Sequence, residues 1–422
     1  MKKILRVFEN CFGPYPFERV GYTGTPGGLG AMEHASNVSY PFFAWTGTTE
    51  SEWWYAHELS HMWFGDKVTC ASAEDMWLNE GWAVWCESLY REGIYGKQAY
   101  KDNMRSKLKD VLQKTAITDG GYFALYGIPQ EITYGNTVYQ KGGQVVHMLR
   151  GYLGDSLFFD GVKAYLQQYA YNYSSTYDLR NFLSSYSKID LVPFFDAWVF
   201  APGFPHFSID SVVKVKSGNG YDVQVFVRQK LKGTTRYANS NHLEITFMDS
   251  AWQKITDTLV FSGAHGCKTI HLPFLPTTIM ADLDEKISDA TTDEFKIIKN
   301  TGEYDFKQTF CKLHVETVND SALVRITHNW VAPDSLNVLL PGIRVSDTRY
   351  WTVEGIFPDG FKAKGEFIYK ATENLDITLL NDSKDSLIML YRTGAGRTWG
   401  KTQFILKGSR TEGKIIVDNL QK

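Results

Sequence analysis

From Ser51 to about Val199, apolar residues recur at three- and four-residue intervals. The spacing predicts helices over 52–66, 74–93, 97–115, 134–153, 156–171 and 177–187, set apart by Gly and Pro. Ahead of them, Tyr15 to Trp45 is rich in Gly, Pro and aromatic residues and predicts short strands, with an exposed edge around Gly27-Gly28-Leu29-Gly30-Ala31. Helical spacing stops at the breaker Ala201-Pro202-Gly203-Phe204-Pro205, and beyond it apolar and polar residues alternate, as in Tyr221 to Val227. Further strands are predicted at 241–248, 256–262, 268–274 and 277–282, describing a small β-sandwich that ends near residue 300. A second β unit follows, with runs at 309–317, 321–330, 336–340, 350–355, 364–369, 375–380, 386–392 and 402–407 and a last strand at Lys414-Ile415-Ile416-Val417. The pattern describes a multidomain α+β chain: a mainly helical domain over 1–205, a β-sandwich domain over 206–300 and a second over 301–422.

Composition narrows the classes of function. A chain of 422 residues exceeds one ordinary core, and 43% hydrophobic with 22% charged residues is globular rather than disordered. A net charge of −3 without a Lys/Arg stripe gives no reason to invoke nucleic acid or an anionic membrane. No run approaches the roughly 18 apolar residues of a membrane span, and Met1 to Arg6 breaks into charge before a signal-peptide core could form. Because Val7 to Phe17 already reads as ordered domain sequence, export of a longer precursor stays open, and so does localisation. Five scattered cysteines, Cys11, Cys70, Cys86, Cys267 and Cys311, indicate neither a disulfide framework nor a thiolate metal site and are expected to be mostly buried.

The chemistry is concentrated in His57-Glu58-Leu59-Ser60-His61 and, after a gap of eighteen residues, Glu80. On a helix, His57 and His61 project from one face and can take two corners of a tetrahedron around a single zinc ion. Glu80 from a second helix takes a third, and the open fourth corner suits water, with Glu58 beside it as general base. The flanks Trp53-Trp54-Tyr55 and Met62-Trp63-Phe64 bury this segment, where unpaired imidazoles and carboxylates would be costly without a metal. Glu87 sits two helical turns beyond Glu80, where it either orients a ligand histidine or lies on a solvated face.

Two further segments make the pattern specific: Gly30-Ala31-Met32-Glu33 ahead of the histidines, and Tyr139-Gln140-Lys141-Gly142-Gly143 after them. Together with the H-E-x-x-H stretch and Glu80, over about residues 8–205, the set resembles the aminopeptidase N-like family of zinc metallopeptidases, the gluzincins. The resemblance implies a thermolysin-like catalytic domain, one zinc on His57, His61 and Glu80, and Glu58 as base. It also implies that Glu33 grips the free α-amino group of a peptide, and that Tyr139 donates to the developing oxyanion, with Tyr134 a weaker second candidate. Backbone groups of Gly30, Ala31 and Met32 would pair with the extended peptide. Asn79 belongs to the family's Asn-Glu-Gly signature and reads either as support behind the ligands or as an ordinary structural amide.

Three departures stand out. His34 replaces the family's Asn after Glu33 and is expected to pack. The large β domain that usually comes first has no counterpart ahead of Val7, and a second β unit replaces the helical C-terminal domain. The implied function is hydrolysis of the N-terminal peptide bond by a zinc aminopeptidase acting on peptides with a free N-terminus. An endopeptidase or epoxide hydrolase on the same scaffold, or a noncatalytic interaction protein retaining the fold, stays open on sequence alone.

Overall fold

The computed structural model describes residues 1–28, 30–336, 342–373, 375–380, 386–395, 397–418 and 420. The chain divides into two compact units: residues 1–111, 115–203 and 285–288 in one, and 112–114, 204–284 and 289–422 in the other.

The first unit opens with helix α1 (Lys2–Phe12), whose Ile4, Phe8 and Phe12 recur every four residues and are buried. Phe12 meets Trp63, Phe64 and Trp85 with ring centroids 5.0–6.3 Å apart. The helical pattern prediction, which began at Ser51, missed this helix. Strands β1 (Gly21–Thr25) and β2 (Asn37–Pro41) pair in parallel. Between them the expected edge is not a strand among the described residues, and Leu29 lies outside them. Gly27, Gly28 and Gly30 are exposed, with no side chain to anchor a ladder, so only Met32 pairs, exchanging two 2.9 Å backbone hydrogen bonds with Ser39.

Helix α2 (Glu52–Ser60) ends before the predicted residue 66, because the chain reverses through Gly65 at φ +139° with Asp66 N–H donating back to the His61 carbonyl. A parallel pair of short strands, β3 (Val68–Cys70) and β4 (Asn172–Ser174), lies further along. The predicted helix 74–93 is broken at Asn79 into a tight turn, Ala73–Leu78, and α3 (Glu80–Tyr95), so Glu80 stands at a helix start. Next come α4 (Lys97–Asp110), the short α5 (Ala116–Thr118), α6 (Gly142–Leu153), α7 (Asp155–Gln168), α8 (Thr176–Ser187) and α9 (Val192–Trp198). A wide π-type turn, Thr137–Lys141, leads into α6 where the sequence predicted continuous α-helix from 134. Trp82 and Trp85 are fully buried, Trp82 stacking between Phe64 at 4.4 Å and Phe158 at 5.9 Å. These rings are core, each worth about 1.5–3 kcal/mol of burial, rather than the wall of a specificity pocket.

The second unit is mainly sheet. Strands β5 (Phe204–Ser217), β6 (Gly220–Lys232), β7 (Asn241–Met248), β8 (Lys254–Phe261), β9 (His265–Leu272) and β10 (Thr278–Ala281) form two antiparallel sheets, ordered β5-β6-β9 and β10-β7-β8. Then follow β11 (Thr291–Ile298), β12 (Gly302–Phe306), β13 (Cys311–Thr317), β14 (Ala322–Asn329), β15 (Tyr350–Ile356) and β16 (Lys362–Lys370). The last strands are β17 (Leu390–Tyr391), β18 (Gly400–Lys401), β19 (Phe404–Gly408) and β20 (Glu412–Val417). They build the sheets β11-β14-β15 and β12-β13-β16-β20-β19, which share a core of Ile298, Leu313, Val324, Ile326, Phe367 and Ile415, and the ribbon β17-β18.

Because β11 pairs with β14, the second group of sheets begins at residue 291, ahead of the 300/301 boundary read from turn residues. The run predicted at 375–380 is a set of turns closed on the Asp376 carbonyl, and the run at 336–340 lies outside the described residues from 337 on. Only Cys86 and Cys311 are buried, Cys267 is exposed, and all five cysteines are free. Among the described residues no helix is long and apolar enough to cross a membrane.

Candidate active site

The last turn of α2 and the first residue of α3 bring His57, His61 and Glu80 together in the buried interior of the first unit. Glu80 Oε2 lies 3.2 Å from His57 Nε2 and 3.5 Å from His61 Nε2. A tetrahedral ion with bonds of about 2.0–2.1 Å separates its donors by about 3.3 Å, so the three atoms have the spacing of zinc ligands. The outer nitrogens are also committed. His57 Nδ1 is 2.8 Å from Glu87 Oε1, and His61 Nδ1 is 3.0 Å from the Phe64 carbonyl and 2.6 Å from Asn79 Oδ1. Since those partners are acceptors, each Nδ1 carries hydrogen and each Nε2 is turned toward the common point.

Glu87 and Asn79, the two residues read from sequence as possible supports, thus lie within hydrogen-bond distance of the two histidine rings. Asn79 fits beneath His61 because Gly65 is a glycine: a Cβ there would stand 2.4 Å from Asn79 Oδ1. Lys107, on α4, donates to Glu87 Oε2 at 2.7 Å and keeps that buried carboxyl below its ordinary range despite desolvation. Burial opposes charge on His57, but hydrogen bonds to Glu80 and Glu87 outweigh it and hold the ring up at about 10. The carboxylates thus favour positive charge at the point where the donors converge.

Glu58 is 5% exposed, and burial is the largest influence on its carboxyl, raising it against the lowering effect of His57 and His61. Glu33 is half-buried and supplies a carboxylate oxygen within 4.8 Å of Glu58 and His61 donor atoms. Asp66, unanticipated from sequence, adds a third acid. Its Oδ2 is buried with no hydrogen-bond partner among the described residues, and burial first, then Glu33, push its carboxyl up to about 7 while His61 opposes. Met32 is exposed, Ala31 half-buried and Gly30 exposed, which leaves their backbone accessible. His34 is exposed rather than packed, and its carbonyl closes a turn by accepting from Asn37 N–H.

Tyr139 reaches the same point from the π-type turn. Its ring lies parallel to that of His57 at 6.1 Å, and burial first and the nearby Glu80 carboxylate second hold its phenol protonated. Two devices set that turn. Buried Asp119 accepts from Asn136 N–H at 2.9 Å and from Thr137 N–H and Oγ1–H at 2.6 Å each. Gly142 packs against Gly81 of α3, where a Cβ on either would come within 2.9 Å of the other's Cα, so α6 crosses α3 one residue from Glu80. Lys141 is buried and donates to the carbonyls of Phe123 and Ala201 at 3.3 and 3.2 Å, which anchors the turn. Tyr134, by contrast, is 70% exposed.

Lys107 and Asp119 carried no signal in one dimension because each acts across the fold. Trp54 did carry one: it precedes Glu58 by one helical turn and its indole donates to that carboxylate at 3.0 Å. Taken together, the helices place two imidazoles and one carboxylate around a point that can hold a divalent ion, with a desolvated carboxylate beside it. That is the class of site found in metal-dependent hydrolases.

Residues 2–198 match the family described as Peptidase family M1 domain, so a little under half of the chain is similar to that family. Aminopeptidase N of Lactococcus lactis subsp. lactis is 34% identical over 214 residues, 48% of this chain and 24% of that protein. Aminopeptidase N of Oryctolagus cuniculus is 30% identical over 274 residues, 58% of this chain and 28% of that protein. The chain thus spans about a quarter of the length of these relatives. A solved M1 zinc metallopeptidase from Deinococcus radiodurans is 26% identical over 47% of this chain and 42% of that one, with a TM-score of 0.39.

Proposed function

We propose that this chain is a zinc-dependent aminopeptidase that hydrolyses the first peptide bond of peptides with a free N-terminus. The observation carrying the reading is the convergence of His57, His61 and Glu80 at donor separations of 3.2 and 3.5 Å. Zinc, when bound there, lowers the pKa of water and polarises the scissile carbonyl. The remaining work falls to the chain itself. Glu58 takes a proton from the attacking water and later delivers it to the leaving amine, a double role suited to a carboxyl raised by burial. Tyr139, kept protonated, donates to the carbonyl oxygen as it gains charge. Glu33 holds the substrate ammonium, and Gly30, Ala31 and Met32 offer backbone groups to the extended peptide. Fixing the amine beside the metal places the first peptide bond, and no later one, at the base. In this reading residues 1–205 carry the chemistry and the two groups of sheets, divided near residue 290, are accessory.

The test compares aminoacyl-anilides with their N-acetylated forms. The free amine is expected to be cleaved about a hundredfold faster, the worth of a charge-assisted hydrogen bond in a desolvated site, and Glu33→Ala should narrow that ratio. Equal cleavage of both forms would refute the exopeptidase reading and return an endopeptidase.

A further inference from the structure

We propose that Trp54 is a positioning residue for Glu58, and that it decides which carboxylate oxygen handles the proton. The inference rests on the reading of Glu58 as the base. Trp54 and Glu58 lie one turn apart on α2, and the indole Nε1–H donates to Glu58 Oε1 at 3.0 Å. Among the described residues no other group hydrogen-bonds that carboxylate, although it is only 5% exposed.

An indole N–H can only donate. The contact therefore engages Oε1 as an acceptor and leaves Oε2, with no hydrogen-bond partner among the described residues, as the oxygen turned to the proton. The contact also removes the freedom of the terminal carboxylate torsion, which is otherwise broad. A neutral donor does this without adding a charge that would depress the basicity of the carboxylate as strongly as a cation would.

The indole is itself held. Trp53 stacks on it at 5.8 Å with planes 10° apart, Phe43 packs at 5.8 Å, and buried Tyr40 meets it edge-on at 6.3 Å. Phe43 and Trp53 are exposed at 69% and 42%, so this aromatic bracket runs from the surface down to the base. Among the described residues none of these rings pairs with the rings of His57 or His61, which meet each other and Tyr139. The bracket's one polar contact with the site is the indole N–H.

Trp54→Phe keeps the ring and removes the donor. It is expected to lower kcat about tenfold with KM within about twofold and zinc content unchanged, the cost of one hydrogen bond to a charged group. A purely structural role would show instead as lost zinc or a lower melting temperature with kcat per zinc preserved. A second measurement needs no turnover. In protein labelled with 15N at tryptophan indoles, one N–H resonance should move in Glu58→Ala, and that resonance should be the one missing from Trp54→Phe. No resonance responding to Glu58→Ala, or wild-type kcat in Trp54→Phe, would overturn the proposal. If the wild-type chain cleaves none of the anilides while the resonance does respond, the proposed function fails and the catalytic role of Trp54 falls with it, leaving only the contact.

Discussion

Glu58→Gln is expected to bind zinc as the wild type does and to lose roughly a thousandfold or more in kcat. The substitution keeps the volume of the side chain and an oxygen to accept from Trp54, so the packing around α2 has no reason to change. What it removes is the group proposed to take a proton in one step and return it in the next. General acid–base catalysis typically contributes about 10²–10⁴-fold, and a residue serving twice belongs at the upper end. In the proposed site Glu58 stands beside the ion rather than on it, the proposed ligands being His57, His61 and Glu80, although Glu58 also lies within 4.8 Å of Glu33 and His61 donor atoms. Metal content by elemental analysis, beside turnover of a free-amine anilide, separates the two effects. A Gln variant within a few-fold of wild type would remove Glu58 as the base, and a variant that had lost its zinc would mean the carboxylate was holding the ion.

Tyr139→Phe should lower kcat/KM by about 10²–10³, with most of the loss in kcat. The phenol is held protonated by burial and by Glu80, so it is a donor at neutral pH, and its value is greatest when the carbonyl oxygen carries charge. A preorganised donor of this kind contributes about 2.7–4 kcal/mol to the barrier and little to ground-state binding. The ring is fixed from both ends, by the parallel imidazole of His57 and by the Asp119 and Lys141 contacts of its turn, so Phe should occupy the same place. Steady-state kinetics on one anilide series tests this. A loss confined to KM would assign Tyr139 to substrate packing rather than to the transition state.

The parts of the site that were legible in sequence are those fixed by helical periodicity. His57 and His61 are one turn apart, Glu87 is two turns beyond Glu80, and each relation survives in three dimensions because the intervening backbone is close to regular helix. The resemblance added Glu33 and Tyr139, which no period links to the histidines. What sequence missed depends on contacts between distant elements. Asp119 caps the turn of Tyr139 from another segment, Lys107 reaches Glu87 from α4, and the Gly81–Gly142 crossing shows only as two unremarkable glycines until the helices are brought together. Helix ends were misjudged where a residue leaves the ladder to serve the site: at Asn79, which turns its amide to His61, and at Thr137–Lys141, where the helix widens around Tyr139. In the sheets, alternation located most strands, but β5, β11 and β12 were not marked and the 375–380 run has strand-like residues folded into turns on Asp376. Pairing partners, which assign β11 to the second group of sheets, leave no trace in a single strand's pattern.

The central claim is that His57, His61 and Glu80 grip one divalent ion and leave it a place for water. X-ray absorption at the zinc edge of the purified chain tests it most directly. The expected result is one zinc per chain, two imidazole nitrogens and oxygen donors within about 2.0–2.2 Å, and loss of the ion in His61→Ala. Sulfur at about 2.3 Å, a third imidazole, or an ion that survives the loss of His61 would contradict it.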